Sequence, residues 1–447
     1  MGWILLRAWL TLGTRKQLPC AGRKSHFLGS NFAGMYGVRG APRRVGAALF
    51  LALSLVVFGS CVGGGSQSPQ TTSNTNAEPP AVQAAEGSVV FALLADNSLI
   101  EASPGSGRVE SKTSLGPPFD YPGAGRYLAL GRGGKILFAL TPRGQDGAFQ
   151  VAVVDVATAR VQSRYSLPEG VMFRSLVVGP KTGRLYLFGN RLGEKIRSDV
   201  GDYRQEEVVV AVLDSEGGRL LESQTLREAD GKDWLVYEGE VSADESRLFV
   251  SYHGDTTTGI DWIAVTPRGL DRCQKRGKFA GGGCISSAHG GVEMYGDRFL
   301  VTLGDTPWIE ERGKEGKIIR RWNTGLEGNH MLDVTVDDQA DRLYAVGSCG
   351  YTGGLSRVDF VTGRVKSLAP ANTGLATPSA KQRAICGEKV AVGPGSLLVV
   401  GKTERSVPQA GVPGSLILVD GANGQIIRSV DTQAEPVDVL AALEPRE

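Results

Sequence analysis

Two short strand-and-turn units recur along residues 88–447, and this repetition constrains the fold more than any other feature. The first is a turn, then Arg or a small residue, then a short apolar strand. It appears as GGKILFAL (133–140), TGRLYLFG (182–189), ESRLFVSY (245–252), GDRFLVTL (296–303), ADRLYAVG (340–347) and PGSLLVVG (394–401). The second is an apolar strand ending in Asp, a turn and another strand: VAVVDVATARVQS (151–163), VAVLDSEGGRLLES (210–223), LSRVDFVTGRVKS (355–367) and LILVDGANGQIIRS (416–429). An Asp at a strand end can accept hydrogen bonds from turn amides, and Gly supplies positive φ, so each unit is a tight antiparallel hairpin. Strands leading into the first unit are visible as SLVVGP (175–180), GEVSAD (239–244), DVTVDD (333–338) and KVAVGP (389–394). Each repeat is then four strands at a period of about forty to fifty residues, the spacing of β-propeller blades.

Seven blades are expected. Complete ones start near residues 126, 172, 235, 285, 330 and 387. The segment 88–115, SVVFALLADNSLIEASPGSGRVESKTSL, supplies only three strands, and PVDVLAAL (436–443) is an isolated strand resembling the missing first one. Pairing the two would close the ring and leave no open sheet edge. The predicted fold is therefore all-β: a seven-bladed propeller of four-stranded antiparallel blades, sealed by the C-terminal strand. High glycine content and few aromatic residues suit many short strands joined by turns.

Asp155, Ala159-Arg160-Val161, Pro168, Val177-Val178 and Gly183-Arg184-Leu185-Tyr186 follow one another in an order that resembles the YVTN-type propeller repeat. Asp420, Asn423-Gly424, Ile427 and Pro436-Val437 repeat it. The resemblance covers residues 88–447 at the level of fold and implies a bacterial surface or periplasmic protein; such repeats are weak markers of function. Other families on the same ring bind cofactors. Calcium-dependent lactonases use an acid–amide cluster on the axis, and no such set is expected on the first strands here. Quinone enzymes stack tryptophans at each repeat, whereas beyond residue 61 only Trp234, Trp262, Trp308 and Trp322 occur.

Ahead of the repeats, residues 45–58 form an uninterrupted apolar run preceded by Arg43-Arg44. It is too short to span a bilayer and suits a signal-peptide core. The run ends at Phe58-Gly59-Ser60-Cys61, which resembles the lipobox of bacterial lipoproteins and implies lipidation at Cys61. Residues 63–87 are small, polar and proline-bearing, the composition of a tether that cannot fold. The expected organisation is a leader over 1–60, with Met35 as an alternative start, a lipidated tether over 61–87, and the propeller over 88–447. The protein is expected as a monomer on the extracytoplasmic or periplasmic face of a cell or outer membrane, held by its lipid alone.

Eight Lys or Arg and no acids precede Cys61, so the formal charge of +2 becomes −6 beyond it, with 41 basic and 47 acidic side chains. Without a basic stripe, nucleic acid is excluded as an expected partner. Cys273, Cys284, Cys349 and Cys386 are fit for two disulfides in an oxidising compartment, with Cys349–Cys386 favoured by register. Buried thiols are the alternative.

By the same register the three histidines beyond the leader, His253, His289 and His330, fall on one loop-rich face, with Asp255 and Asp305 at comparable positions. Neutral imidazole with carboxylate suits a metal, but no HxxxH spacing exists, so neither a metal nor a cofactor is expected. Residues 189–206, 304–316 and 369–385 read as inserted loops, with Tyr203 and Trp308 as aromatic anchors. No nucleophile–base pair stands out. The sequence reading is a binding or scaffold module for an envelope protein, glycan or small molecule through this face. The alternative is a metal-dependent hydrolase, lyase or redox enzyme using the histidines.

Overall fold

Asp turns form the outer hairpins as their sequences imply. Asp155 Oδ1 accepts from the Thr158 amide and hydroxyl at 2.9 Å, and Asp359 Oδ1 accepts from the Thr362 amide at 2.7 Å. Gly363 and Gly424 complete two of these turns at φ +68° and +82°. In a computed structural model, the described residues are 87–443 apart from 121–124, 144–147, 199–200, 228–234, 254–257, 267–268, 271–291, 303–305, 315, 327–330, 348–353, 370–384 and 404–409.

These hairpins assemble into seven four-stranded antiparallel sheets. The innermost strands, from the second blade to the seventh, are Leu128–Leu130, Val171–Val178, Leu235–Val241, Val292–Tyr295, Met331–Asp337 and Lys389–Gly393. Pro436–Leu443 is the innermost strand of the first blade. Each touches the next around the ring, and Pro436–Leu443 touches Leu128–Leu130. The chain is a seven-bladed β-propeller.

The seam is where the two chain ends were expected to meet. Ser88–Leu94 pairs antiparallel with Pro436–Leu443, from Ser88 opposite Leu443 to Leu94 opposite Pro436. Both strands are rich in Val, Leu and Ala, and they carry the blade's apolar face into a cluster shared with Val399, Leu416 and Leu418 of the seventh blade. The hydrophobic core lies between blades throughout, as in the stacked rings of Phe249 and Phe299 at 4.9 Å across the fourth and fifth.

The hairpins from innermost to second strand follow a second rule that the sequence did not disclose. Gly134, Gly183 and Gly296 have positive φ there, and so do Glu245, Asp341 and Ser396, at +54°, +51° and +61°. A side chain in this region costs of order 1 kcal/mol or more. Each of the three recovers it by bonding the preceding blade. Glu245 accepts from the Lys181 and Thr182 amides at 2.9 Å and from the Tyr186 hydroxyl at 2.7 Å. Tyr295 donates to Asp341, and Ser396 donates to Asp337.

Two expected loops are strands. Trp308–Gly313, within 304–316, is the third strand of the fifth blade, paired with Arg298–Thr302 and Ile318–Asn323. Its alternation was hidden by four consecutive charged or glycine residues, 310–313. Residues 189–198 and 201–206 extend the third blade's central hairpin, Leu185–Ser198 with Gly201–Leu213, so they are strand continuations. Among the described residues no helix is long and apolar enough to cross a membrane.

Candidate functional site on the propeller axis

The innermost strands bring charge to the axis by simple alternation. Side chains two residues apart in a strand share a face, so Glu238 and Glu240 point the same way while Gly239 faces outward. A Cβ at Gly239 would lie 2.1 Å from the Phe188 ring, so only glycine lets this strand pack close to the third blade. Gly125 plays the same part beside Arg126: a Cβ there would lie 1.6 Å from the Arg174 carbonyl oxygen.

Arg126, just ahead of the second blade's inner strand, reaches across the channel to the fourth and fifth blades. Its Nη1 donates to Glu240, its Nη2 to Glu293 at 2.5 Å, and its Nε lies 3.3 Å from Glu238 Oε1. Lys389 Nζ lies 4.0 Å from Asp333, and Asp438 accepts from the Tyr127 and Leu128 amides at 2.6 and 2.8 Å. Glu238 accepts from Val292 N at 3.0 Å and Asp333 from Val390 N at 2.9 Å. Three of these acids therefore also bind the strand entry of the following blade. Among the described residues, five carboxylates and two cations converge here.

Burial sets their protonation. It pushes Glu238 up to about 7 and Glu240 up to about 8, against the opposing pull of Arg126. It likewise raises Glu293 and Asp438. Burial opposes the charge on Arg126 and Lys389, but the surrounding carboxylates outweigh it and raise both.

Beside this cluster lies a cavity of about 370 Å³ lined by residues of all seven innermost strands and Arg126. Its lining is layered by the two-residue period. Arg126 is followed by Leu128, Asp333 by Thr335, Lys389 by Ala391 and Asp438 by Leu440. A charged level thus sits next to a small or apolar one.

The sequence reading selected none of these axial acids. Glu240, Asp333 and Asp438 were visible in GEVSAD, DVTVDD and PVDVLAAL, and Lys389 in KVAVGP, whereas Glu238 and Glu293 lie outside those segments; the missing step was which face of each strand meets the axis. Among the described residues no three His, Cys, Asp or Glu are grouped to hold a metal ion.

Trp308 opens the third strand of the fifth blade, 39% exposed and not on the innermost strand. His253 ends the second strand of the fourth blade, opposite Leu235. Asp255, His289, Asp305 and His330 lie outside the described residues, as do Cys273, Cys284 and Cys349. Cys386 is buried, and its neighbours bind the sixth blade. Gly387 N donates to the Gly347 carbonyl at 3.1 Å, and Gly354 N donates to the Ile385 carbonyl at 3.0 Å.

No protein-family model and no curated protein matches the chain. Solved structures match its fold. A Bacteroides fragilis protein provisionally named a 6-phosphogluconolactonase superposes with TM-score 0.52 at 11% identity, covering 80% of this chain and 98% of that one. The periplasmic gluconolactonase PpgL of Pseudomonas aeruginosa gives 0.51 at 15%, covering 80% and 99%. A Lactobacillus plantarum protein gives 0.51 at 12%, covering 79% and 99%. At such identities the likeness is one of fold.

Proposed function

We propose that this protein is a membrane-tethered, extracytoplasmic binding module that takes a small polar ligand into its axial cavity. The observation that carries this reading is the cavity of about 370 Å³ beside a buried mixed-charge cluster. Small-molecule sites are concave, largely preformed and fitted with a few convergent polar groups. Propeller axes supply that geometry without further loops. The full chain, purified in detergent, is expected to bind members of a panel of amines, sugars, lactones and carboxylates by calorimetry. Absence of any binder overturns the reading.

Lipidation at Cys61 and the YVTN-type kinship belong to the same proposal. Cys61→Ala is expected to shift the protein from the membrane fraction to the soluble one and to abolish labelling by a fatty-acid probe. Hydrogen bonds joining Gly387 to Gly347 and Ile385 to Gly354 support a Cys349–Cys386 bridge, because they hold the neighbours of Cys386 against the two residues that bracket 348–353 in the chain. Peptide mapping under non-reducing conditions checks it.

A second reading is hydrolysis of a lactone. Glu240 lines the cavity with a carboxyl raised toward neutrality, the condition of a general base, and two proteins of similar fold bear gluconolactonase names. Turnover of a sugar lactone, lost in Glu240→Gln, would favour it over binding alone.

A further inference from the structure

We propose that the ligand of the axial cavity is an organic monocation, an ammonium or guanidinium group carried on an apolar body. This rests on the reading of the cavity as a binding site and names what it takes.

Charge stoichiometry is the first observation. Among the described residues, Glu238, Glu240, Glu293, Asp333 and Asp438 share Arg126 and Lys389. Arg126 divides its guanidinium among three glutamates from two blades, so none of the three has a cation of its own. Glu238 is the extreme case. Its side chain is 2% exposed, and its Oε1 accepts no hydrogen bond, holding only the 3.3 Å contact with Arg126. Glu238 is not among the residues that line the cavity; Glu240 and Glu293, which share Arg126 with it, do line it and are the acids a further cation there would meet.

Layering is the second, independent observation. Val178, Ala391 and Leu440, each only partly buried, line the cavity next to the charged level. A hydrated metal ion gains nothing from such a wall, and an anion meets surplus carboxylate. An organic cation fits both levels: its charge reaches the acids while its hydrocarbon part displaces water from the apolar wall, at roughly 25 cal/mol per Å² of apolar surface covered.

The raised carboxyls of Glu238 and Glu240 give binding a further signature. Each is charge-suppressed near neutrality, so an arriving cation draws the proton off a glutamate and into solvent. Charged groups packed around them are Arg126, Glu293, Asp333 and Lys389. Of these, the two cations stay charged across the neutral range.

The test uses the full chain and an isosteric set: benzylamine, benzyl alcohol and benzoate, followed by calorimetry. Benzylamine is expected to bind at least tenfold more tightly than the other two. With benzyltrimethylammonium, whose charge does not titrate, affinity should rise with pH between 6 and 8, by at most about tenfold per unit for one released proton. Glu240→Gln and Glu293→Gln should each weaken benzylamine binding by fivefold or more, and Glu310→Gln in the fifth blade should leave it within twofold. Equal affinity across the set, or preference for benzoate or the alcohol, overturns the monocation while leaving the cavity a binding site. If the wider panel also finds no ligand, the binding-module reading itself has failed.

Discussion

Two buried groups of acid and arginine in this propeller invite comparison. On the axis, one arginine is divided among Glu238, Glu240 and Glu293 beside an open cavity. On the outer half of the fifth blade, Glu310 and Glu311 are also buried, yet they meet four arginines. Arg312 and Arg321 bind Glu310, the latter at 2.6 Å, while Arg298 and Arg320 bind Glu311, the latter at 3.0 Å. In both groups one carboxylate oxygen is left with an ion-pair contact and no hydrogen bond. What separates them is stoichiometry and space. Two acids among four cations form a strut between adjacent strands, whereas on the axis, among the described residues, five acids share two cations beside a void, the arrangement on which the proposed cation binding rests.

The largest expected difference lies in removing the arginines. Arg126→Ala strands three buried carboxylates and should cost about 3–5 kcal/mol, read as a lower urea midpoint. Arg321→Ala leaves Glu310 its partner Arg312 and removes a side chain that is 55% exposed, so about 1 kcal/mol or less is expected. Equal losses would erase the contrast.

Next is pH. The carboxyls of Glu238 and Glu240 hold protons more tightly in the folded chain than at their ordinary value of 4.5. Their contribution is complete below that value and is lost as pH rises through about 7 and about 8. Stability should therefore decline from pH 5 to 9. Glu238→Gln with Glu240→Gln should flatten that decline and exceed the parent at pH 9 in the same unfolding experiment.

A smaller effect sharpens the role of the blade staples. Glu245→Ala removes the bonds to Lys181, Thr182 and Tyr186 and keeps a strained φ, for a loss of about 1–3 kcal/mol. Glu245→Gly relieves the strain and should recover part of it, measured as a thermal midpoint. The smallest is salt: at 1 M the Debye length is about 3 Å, which should weaken the half-exposed arginine pairs of the fifth blade by a few tenths of a kcal/mol and leave the axial cluster unmoved.

Much of the fold was legible because a propeller writes itself locally. Asp155, Asp359 and Asp420 end strands at fixed distances from their turns, and the incomplete segments 88–115 and 436–443 complement each other. The third strand of the fifth blade was read as a loop because buried glutamates stand beside arginines there, which breaks the apolar alternation that signals a strand. Of the candidate ligand residues in the sequence, Trp308 is a strand residue away from the axis, while the axial acids went unselected although Glu240, Asp333 and Asp438 lie in strands already picked out.

Sequence alone determined most of the strands, their turns, the number of blades and the closure, because hydrogen-bonded hairpins and two-residue periodicity act over a few neighbouring positions. Only the tertiary structure decided which acids share a site. Arg126, Glu240, Glu293 and Asp438 stand far apart along the chain, and it is the closing of the ring that points their strands at one axis.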